Sequence, residues 1–419
     1  MNKTLKKLSE LAFKQGVSAA NPSKCLIDST KVHPFPKPNN GKYVIISLGK
    51  AACSLIDTAI KLIPNNHDSQ LLAITNYENH RMISGCRVLA AGHPIPDQHG
   101  IIAGKTVVKL LENASKDDSI ILLISGGTSA LLPTPIKGLD LNDKIEINKI
   151  LLNADLNITE INLIRQTMST LKGGGLSDLI YPNPSYSYII SDVISDDLNV
   201  IASGLSASRL GTIEEAFNIL DQKNLYSKLS PKLKNFFVSA RDYSFKKNSL
   251  SKNILIGNNK ESLKAMALSA NAEIISKPIV GNVKLASQII VNEIMSRKNL
   301  SDFNLAFGGE TTVEVLGNGL GGRNQELALR VAQKLDNEKI KGTWSFLSAS
   351  TDGIDGPTNA AGAIVDNKTI SKLASKNLSV DQFLAKNDSN TALKITKDLL
   401  VTGPTGTNVA DLQLFCLRD

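Results

Sequence analysis

Residues 120–132, IILLISGGTSALL, decide the fold class. Ile120 to Ile124 are apolar without a break, as a strand covered on both faces requires; a strand with one wet face would alternate. Gly126 and Gly127 then turn the chain, and Thr128 and Ser129 open a helical run. The unit reads strand, turn, helix. It recurs outward in both directions. YVIISL at 43–48 ends at Gly49 and Lys50 before AACSLIDTAIKLI, and LLAIT at 71–75 is a short strand. YIIS at 188–191 runs into Asp192, Asn304 to Phe307 into Gly308 and Gly309, and Trp344 to Ser348 into Thr351 and Asp352. Strands of this kind alternating with helices predict an α/β protein built on parallel sheets.

At roughly 100 to 200 residues per domain, 419 residues suggest two or three domains. A polar, lysine-rich stretch between about 225 and 252, with Pro231 in its middle, is the natural break. The expected domains are 1–240, Rossmann-like, and 241–419, a second α/β domain. Hydrophobic residues make up 42% and charged residues 21%, an ordinary globular balance. The longest apolar runs are strand-sized, below the roughly 18 residues that span a bilayer. The N-terminal MNKTLKKLSELAFKQG reads as an amphipathic helix without the apolar core of a signal peptide, which predicts a cytoplasmic protein away from membranes.

There are 47 Lys and Arg against 39 Asp and Glu, a formal charge of +8. The basic residues stand singly or in pairs among acids, and aromatics are only 5%, poor material for stacking bases. A nucleic-acid partner is therefore not expected. Cys25, Cys53, Cys86 and Cys416 are too scattered for a zinc site and read as reduced thiols.

The clusters with chemical potential follow strand ends. Lys50 opens a helix, where the macrodipole disfavours a cation unless an anion compensates; otherwise it extends into solvent. Ser125, Gly126, Gly127, Thr128 and Ser129 offer hydroxyls and amides to an oxyanion, or form a tight capped turn. Arg165 precedes Lys172, Gly173, Gly174 and Gly175. Each helical glycine costs about 1 kcal/mol, so the triplet suggests a phosphate cradle, with a plain loop as the other reading. Asp192 suits a divalent cation or a helix cap.

Gly317, Gly319 and Gly322 satisfy the G-x-G-x-x-G dinucleotide pattern. The preceding TTVEV alternates, unlike the buried strand that pattern needs, and Arg323 and Asn324 at the mouth of the next helix favour anion binding instead. STDGIDGPT at 350–358 suits Mg²⁺, a ribose contact or two Asx turns. Gly104-Lys105-Thr106 lies in a helical pattern and is no Walker loop. His93, Asp97 and His99 are separated by Pro94 and Pro96, which favour a rigid turn over a metal site.

Taken in order, GKAA at 49–52, AGHPIPD at 91–97, LLISGGTSALL, LKGGGL, SDV with Asp196 and Asp197, ASG, GGETTV, GLGGRNQELAL, TDGIDGPT and TGPTGTN resemble the glycerate 2-kinase family, whose C-terminal part is called the MOFRL domain. Thr128, Leu205 and Ala410 stand where that family usually has glycine, proline and asparagine, and RQTMS at 165–169 also differs. These loop changes bear on substrate preference more than on fold. The resemblance implies transfer of the ATP γ-phosphoryl group to the 2-hydroxyl of D-glycerate with Mg²⁺, by a monomer or homodimer. It also implies an active site in the cleft between the two domains. Lys50 and Arg323 would be the essential basic pair. Ser125, Gly126, Gly127, Thr128, Ser129, Arg165, Lys172, Gly173, Gly174, Gly175 and Asn324 would hold substrate or phosphate, while Asp192, Glu310 and Asp352 would hold Mg²⁺ or take the hydroxyl proton. The alternatives are an NAD(P)H-dependent hydroxypyruvate reductase using the Gly317 to Gly322 string, and a non-catalytic sugar-acid or nucleotide sensor.

Overall fold

The unbroken apolar runs become buried strands. The computed structural model describes residues 2–241, 243, 245 and 251–419. In it Tyr43–Leu48 (β1), Ser69–Asn76 (β2), Arg87–Ala91 (β3), Ser119–Ile124 (β4), Ser185–Ile190 (β5) and Ser251–Gly257 (β6) form one sheet, ordered β3-β2-β1-β4-β5-β6. β1 pairs in parallel with β2 and β4, β2 with β3, and β4 with β5. Every residue of β1 and β4 is buried, which is why neither alternates. Val44, Ile46, Leu48, Ile120, Leu122 and Ile124 pack on Val107 and Leu111 of the helix Gln98–Glu112 and on Leu131, Leu171 and Leu176.

The order reverses at β1 and β4. In an open parallel sheet the crevice beyond such a switch point is where ligands bind, because the two flanking loops diverge to opposite faces. The loops in question carry Gly49 and Lys50, and Ser125 to Ser129; Asp192 follows the next strand, β5.

The second sheet departs from expectation. Glu273–Ile274 (β7), Ile279–Asn282 (β8), Phe303–Thr312 (β9), Thr343–Ser350 (β10), Gly362–Asp366 (β11), Leu399–Leu400 (β12) and Asp411–Arg418 (β13) are ordered β12-β11-β10-β13-β9-β7, with β8 also on β9. β13 lies between β9 and β10 and is antiparallel to both, and β11 is antiparallel to β10. Only β7 and β8 run parallel to β9. The sheet is mixed because the last strand inserts between two earlier ones. Its central strands β9, β10 and β13 bury apolar residues on both faces because helices cover both: Val283–Met295 and Arg323–Asn337 on one, Asn2–Ala19 and Asn259–Ala270 on the other. Continuous apolarity reports two-sided burial and not strand direction. Gly308 and Gly309 sit inside β9 and not in a turn, and a Cβ on Gly309 would strike the Ile279 backbone of β8.

The chain divides into Pro22–Ile256 and a second unit made of the residues up to Asn21 with Gly257–Asp419, not into 1–240 and 241–419. Two causes account for the difference. The N-terminal helix buries Leu5, Ala12 and Phe13 with Met266, Leu412 and Leu414, and its Lys6 ion-pairs with Asp366 and Asp398. At the other boundary, the lysine-rich stretch contains the helix Pro231–Ser239, which buries Leu233 and Phe237 in the first unit, and is followed by β6. Residues 242, 244 and 246–250 of that stretch lie outside the described residues. No helix among the described residues is long and apolar enough to cross a membrane. All four cysteines are free, and Cys25, Cys53 and Cys416 are buried.

Candidate active site

At the switch point the β1 and β4 loops are bonded to each other. The Lys50 amide donates to the Gly126 carbonyl at 2.9 Å. The Ser125 hydroxyl donates to the Leu48 carbonyl at 3.0 Å and accepts from the Ala51 amide at 3.1 Å. Gly49 has φ +108°, and a Cβ there would strike Ser125. On Gly126 a Cβ would strike the Asp192 carboxylate; on Gly127, at φ +87°, it would lie 3.1 Å from the His93 ring and 3.2 Å from Lys50 Cγ. The glycines thus bring Lys50, His93 and Asp192 around one point. Burial raises the Asp192 carboxyl above its ordinary range, opposed by its own backbone amide, the Lys50 charge and the Gly127 amide.

Two expected ligands are used up in this turn. The Thr128 hydroxyl is buried and donates to the Ser125 carbonyl at 2.7 Å. It closes the turn, as does Ser125, so both position their neighbours. Ser129 instead reaches outward, to Ser203 at 3.0 Å and to Lys172, whose ammonium donates to its hydroxyl at 2.8 Å and its carbonyl at 3.0 Å.

Beside it opens a cavity of about 290 Å³, lined by His93, Gly127, Ser129, Lys144, Asn148, Arg165, Lys172 and Asp192 among others. Three of these are largely buried cations. Lys144, from the helix Leu141–Leu152, donates to the carbonyls of Arg165 at 3.2 Å and Met168 at 3.4 Å. Arg165, near the end of the helix Ile158–Thr167, donates to Asn148 at 2.8 Å. Burial pulls Lys144 down to about 7, lowers Arg165, and holds Lys172 well below the ordinary lysine range.

The glycine triplet does not form the phosphate cradle expected of it. Gly173 and Gly174 have φ +57° and +81°, and their amides donate to the carbonyls of Ser203 at 3.1 Å and Gly204 at 2.7 Å. The Gly175 amide donates to Lys172. All three amides are committed to the protein, and what the loop delivers to the cavity is Lys172.

Sequence reasoning missed Lys144 and Asn148 and dismissed His93. A signal existed for Lys144. It stands three and seven residues before Ile147 and Leu151, on the buried stripe of its helix, where a lysine is out of place.

In the second unit Arg323 begins the helix Arg323–Asn337. Its Nε and Nη2 donate to the two Asp411 oxygens at 2.7 and 2.9 Å, and Nη1 lies 3.0 Å from Glu310. Burial works against the guanidinium charge, but Asp411 and then Glu310 outweigh it and hold Arg323 above its ordinary range. The next two amides, of Asn324 and Gln325, donate to Asp355 at 3.0 and 2.9 Å. Burial pushes Asp355 up to about 6 against those bonds. Gly322 is glycine because a Cβ would strike Asp355, and Gly317 and Gly319 press on the backbone at Lys386 and Asp388. The dinucleotide pattern therefore marks close packing, with an internal carboxylate seated where a pyrophosphate would go.

Asn324 is another correction. It is fully buried, accepts from Ser348 at 2.7 Å and faces Asp355, so it braces the helix start and does not reach a ligand. Asp352 accepts from the Ser350 hydroxyl at 2.7 Å and the Ile354 amide at 3.0 Å, an Asx turn. Among the described residues no three His, Cys, Asp or Glu gather as a metal site. Of the three carboxylates expected to hold the metal, Asp192 belongs to one unit and Glu310 and Asp352 to the other.

Residues 8–238 match the family model described as a domain of unknown function (DUF4147), and residues 303–411 match the MOFRL family. The D-glycerate 2-kinase of Thermotoga maritima is 34% identical over 415 residues, covering 98% of this chain and 97% of that one. The glycerate 2-kinase of Pyrococcus horikoshii is 35% identical, with 94% and 93% covered. The crystal structure of the Thermotoga maritima glycerate kinase superposes with a TM-score of 0.87 at 33% identity, over 99% of this chain and 100% of that one. With a family model matched over more than half of its length and a third of its residues shared with these enzymes from end to end, the chain belongs to the glycerate kinase family.

Proposed function

We propose that this kinase transfers the γ-phosphoryl group of ATP to the 2-hydroxyl of D-glycerate, yielding 2-phosphoglycerate and ADP. The observation that carries the reading is the switch-point crevice, where Lys50 and Asp192 adjoin a cavity lined by three buried cations. The substrate is a small anion. The hydroxyl oxygen attacks the γ-phosphorus, the bond to the β–γ bridging oxygen breaks, and the hydroxyl proton leaves to a base.

Phosphoryl transfer depends on positioning and charge neutralisation more than on covalent catalysis. Lys50 and Arg323 are the cations assigned to the transferring group. Asp192 is the assigned proton acceptor, since a buried carboxylate with a raised pKa takes a proton more readily than an exposed one. Mg²⁺, when bound, would neutralise phosphate oxygens. Glu310 beside Arg323, and Asp352 near Asp411, would offer that ion carboxylate oxygen, with its remaining ligands supplied by phosphate and water. A nicotinamide reading loses its footing because the amides of Asn324 and Gln325 already bind Asp355.

The test is incubation with ATP, Mg²⁺ and D-glycerate, with the product identified by NMR. The expected product is 2-phosphoglycerate; 3-phosphoglycerate, or no ADP release, would overturn the reading. Lys50→Ala and Arg323→Ala should each lose about 10³-fold or more in turnover. Folded variants with near wild-type rates would sink that assignment.

A further inference from the structure

Lys144, Arg165 and Lys172 share one cavity, and none is ion-paired among the described residues. Lys144 and Lys172 are only 2% and 4% exposed. Their partners are neutral: two carbonyls at the end of the helix Ile158–Thr167 for Lys144, the Ser129 hydroxyl and carbonyl for Lys172, and the Asn148 amide oxygen for Arg165. Asp192, the carboxylate in the lining, is engaged electrostatically by Lys50.

Buried charges ordinarily come with counterions, and three like charges around one space repel as well. Packing alone would be met better by apolar side chains. Unliganded, the cluster sheds charge by losing protons, and an anion entering the cavity would restore it. The volume, about 290 Å³, lies at the small end of ligand cavities, roughly 300 to 1,000 Å³, and suits a three-carbon acid better than a nucleotide.

We propose that Lys144, Arg165 and Lys172 bind the carboxylate of the hydroxy-acid substrate, an inference that rests on the kinase reading above for the identity of that acid. Held by its carboxylate, the acid presents its hydroxyl toward Gly127 and Asp192, which share the lining and beside which Lys50 packs. The titration of Lys144 supports this. With its pKa pulled down to about 7, and with Arg165, Lys172, His93 and Asp192 in the same lining, it is largely neutral at pH 8. A carboxylate arriving there restores its proton.

The experiment is calorimetric titration of D-glycerate into wild type, Lys144→Met and Arg165→Gln at pH 8 without nucleotide, in two buffers of different ionisation enthalpy. Turnover with ATP and Mg²⁺ is measured alongside. Wild type should take up protons on binding. Each variant should raise Kd and KM for D-glycerate about 10- to 100-fold, the scale of one lost charged hydrogen bond, while kcat changes far less and KM for ATP stays put. Glyceramide, which lacks the charge, should bind equally weakly to all three.

Folded variants that phosphorylate D-glycerate with unchanged KM overturn the subsite and leave the kinase reading standing. A rise confined to KM for ATP gives the cations to the triphosphate and also overturns it. If wild type binds D-glycerate in a Lys144-dependent way but never phosphorylates it, the kinase reading falls and the subsite stands. Arg165→Gln, at the less buried of the three residues, carries the same test should Lys144→Met fail to fold.

Discussion

Arg323 and Lys144 are both largely buried cations, yet one is held by the carboxylates of Asp411 and Glu310 and the other by two backbone carbonyls. Arg323 brings its counterions with it, so its guanidinium is fixed before any ligand arrives. Lys144 has none, and its charge is satisfied only from outside. The difference separates a cation oriented by the protein's own carboxylates from one whose counter-charge must come with a ligand.

The largest effect expected from this contrast is on stability. Arg323→Met leaves the Asp411 carboxylate, whose side chain is completely buried, without its partner. Such a loss costs about 3–5 kcal/mol. Lys144→Met removes an uncompensated charge and should leave unliganded stability equal or higher. Denaturant unfolding of the two variants checks the pair, and a Lys144→Met protein as weakened as Arg323→Met would break the comparison.

A smaller effect distinguishes the units by pH. Burial lowers both Lys144 and Lys172, and with Lys144 at about 7 the unfolded chain binds more protons than the folded one above pH 7. The Lys144 penalty on the unliganded protein is then complete below about pH 7 and is relieved as pH rises toward 10, by at most about 1.4 kcal/mol per pH unit. Asp355 acts in the other direction and in another window. Its pKa of about 6 exceeds the unfolded value of 3.8, so its contribution is present below pH 4 and lost as pH rises through 6. Melting curves of wild type and Lys144→Met should converge between pH 7 and 10. Parallel curves would place the titration elsewhere.

The parts of this contrast that were readable in the sequence are those set by local pattern. Ile120 to Ile124 announced a doubly covered strand, and Lys50, Gly126 and Asp192 stand out as candidates by their position after such strands. The direction of β9 and β10 was not readable, because β13, more than 60 residues later, lies between them. The glycines were legible as close approaches but not what approaches: Asp192 at Gly126, Asp355 at Gly322, and the carbonyls of Ser203 and Gly204 around the triplet. Likewise MNKTLKKLSELAFKQG announced an amphipathic helix, while the surface it covers comes from the far end of the chain. Local spacing fixes which face is buried, and distant residues decide against what.

The smallest effect is also the most discriminating, since it removes one hydrogen-bonded hydroxyl from each unit. Ser129→Ala takes from Lys172 its 2.8 Å acceptor; Ser348→Ala takes from Asn324 its 2.7 Å donor. Each should cost about 1 kcal/mol of stability. Their effects on the substrate should differ. Lys172 loses a group that both favours its charged form and fixes its direction, so Ser129→Ala should raise KM for D-glycerate severalfold. Asn324 braces the start of a helix whose amides are bound to Asp355, so Ser348→Ala should lower the melting temperature by a similar amount and leave that KM where it was. Equal shifts in KM would mean that the cavity responds to general loosening, and the division between self-paired cations and those awaiting a ligand would have to be abandoned.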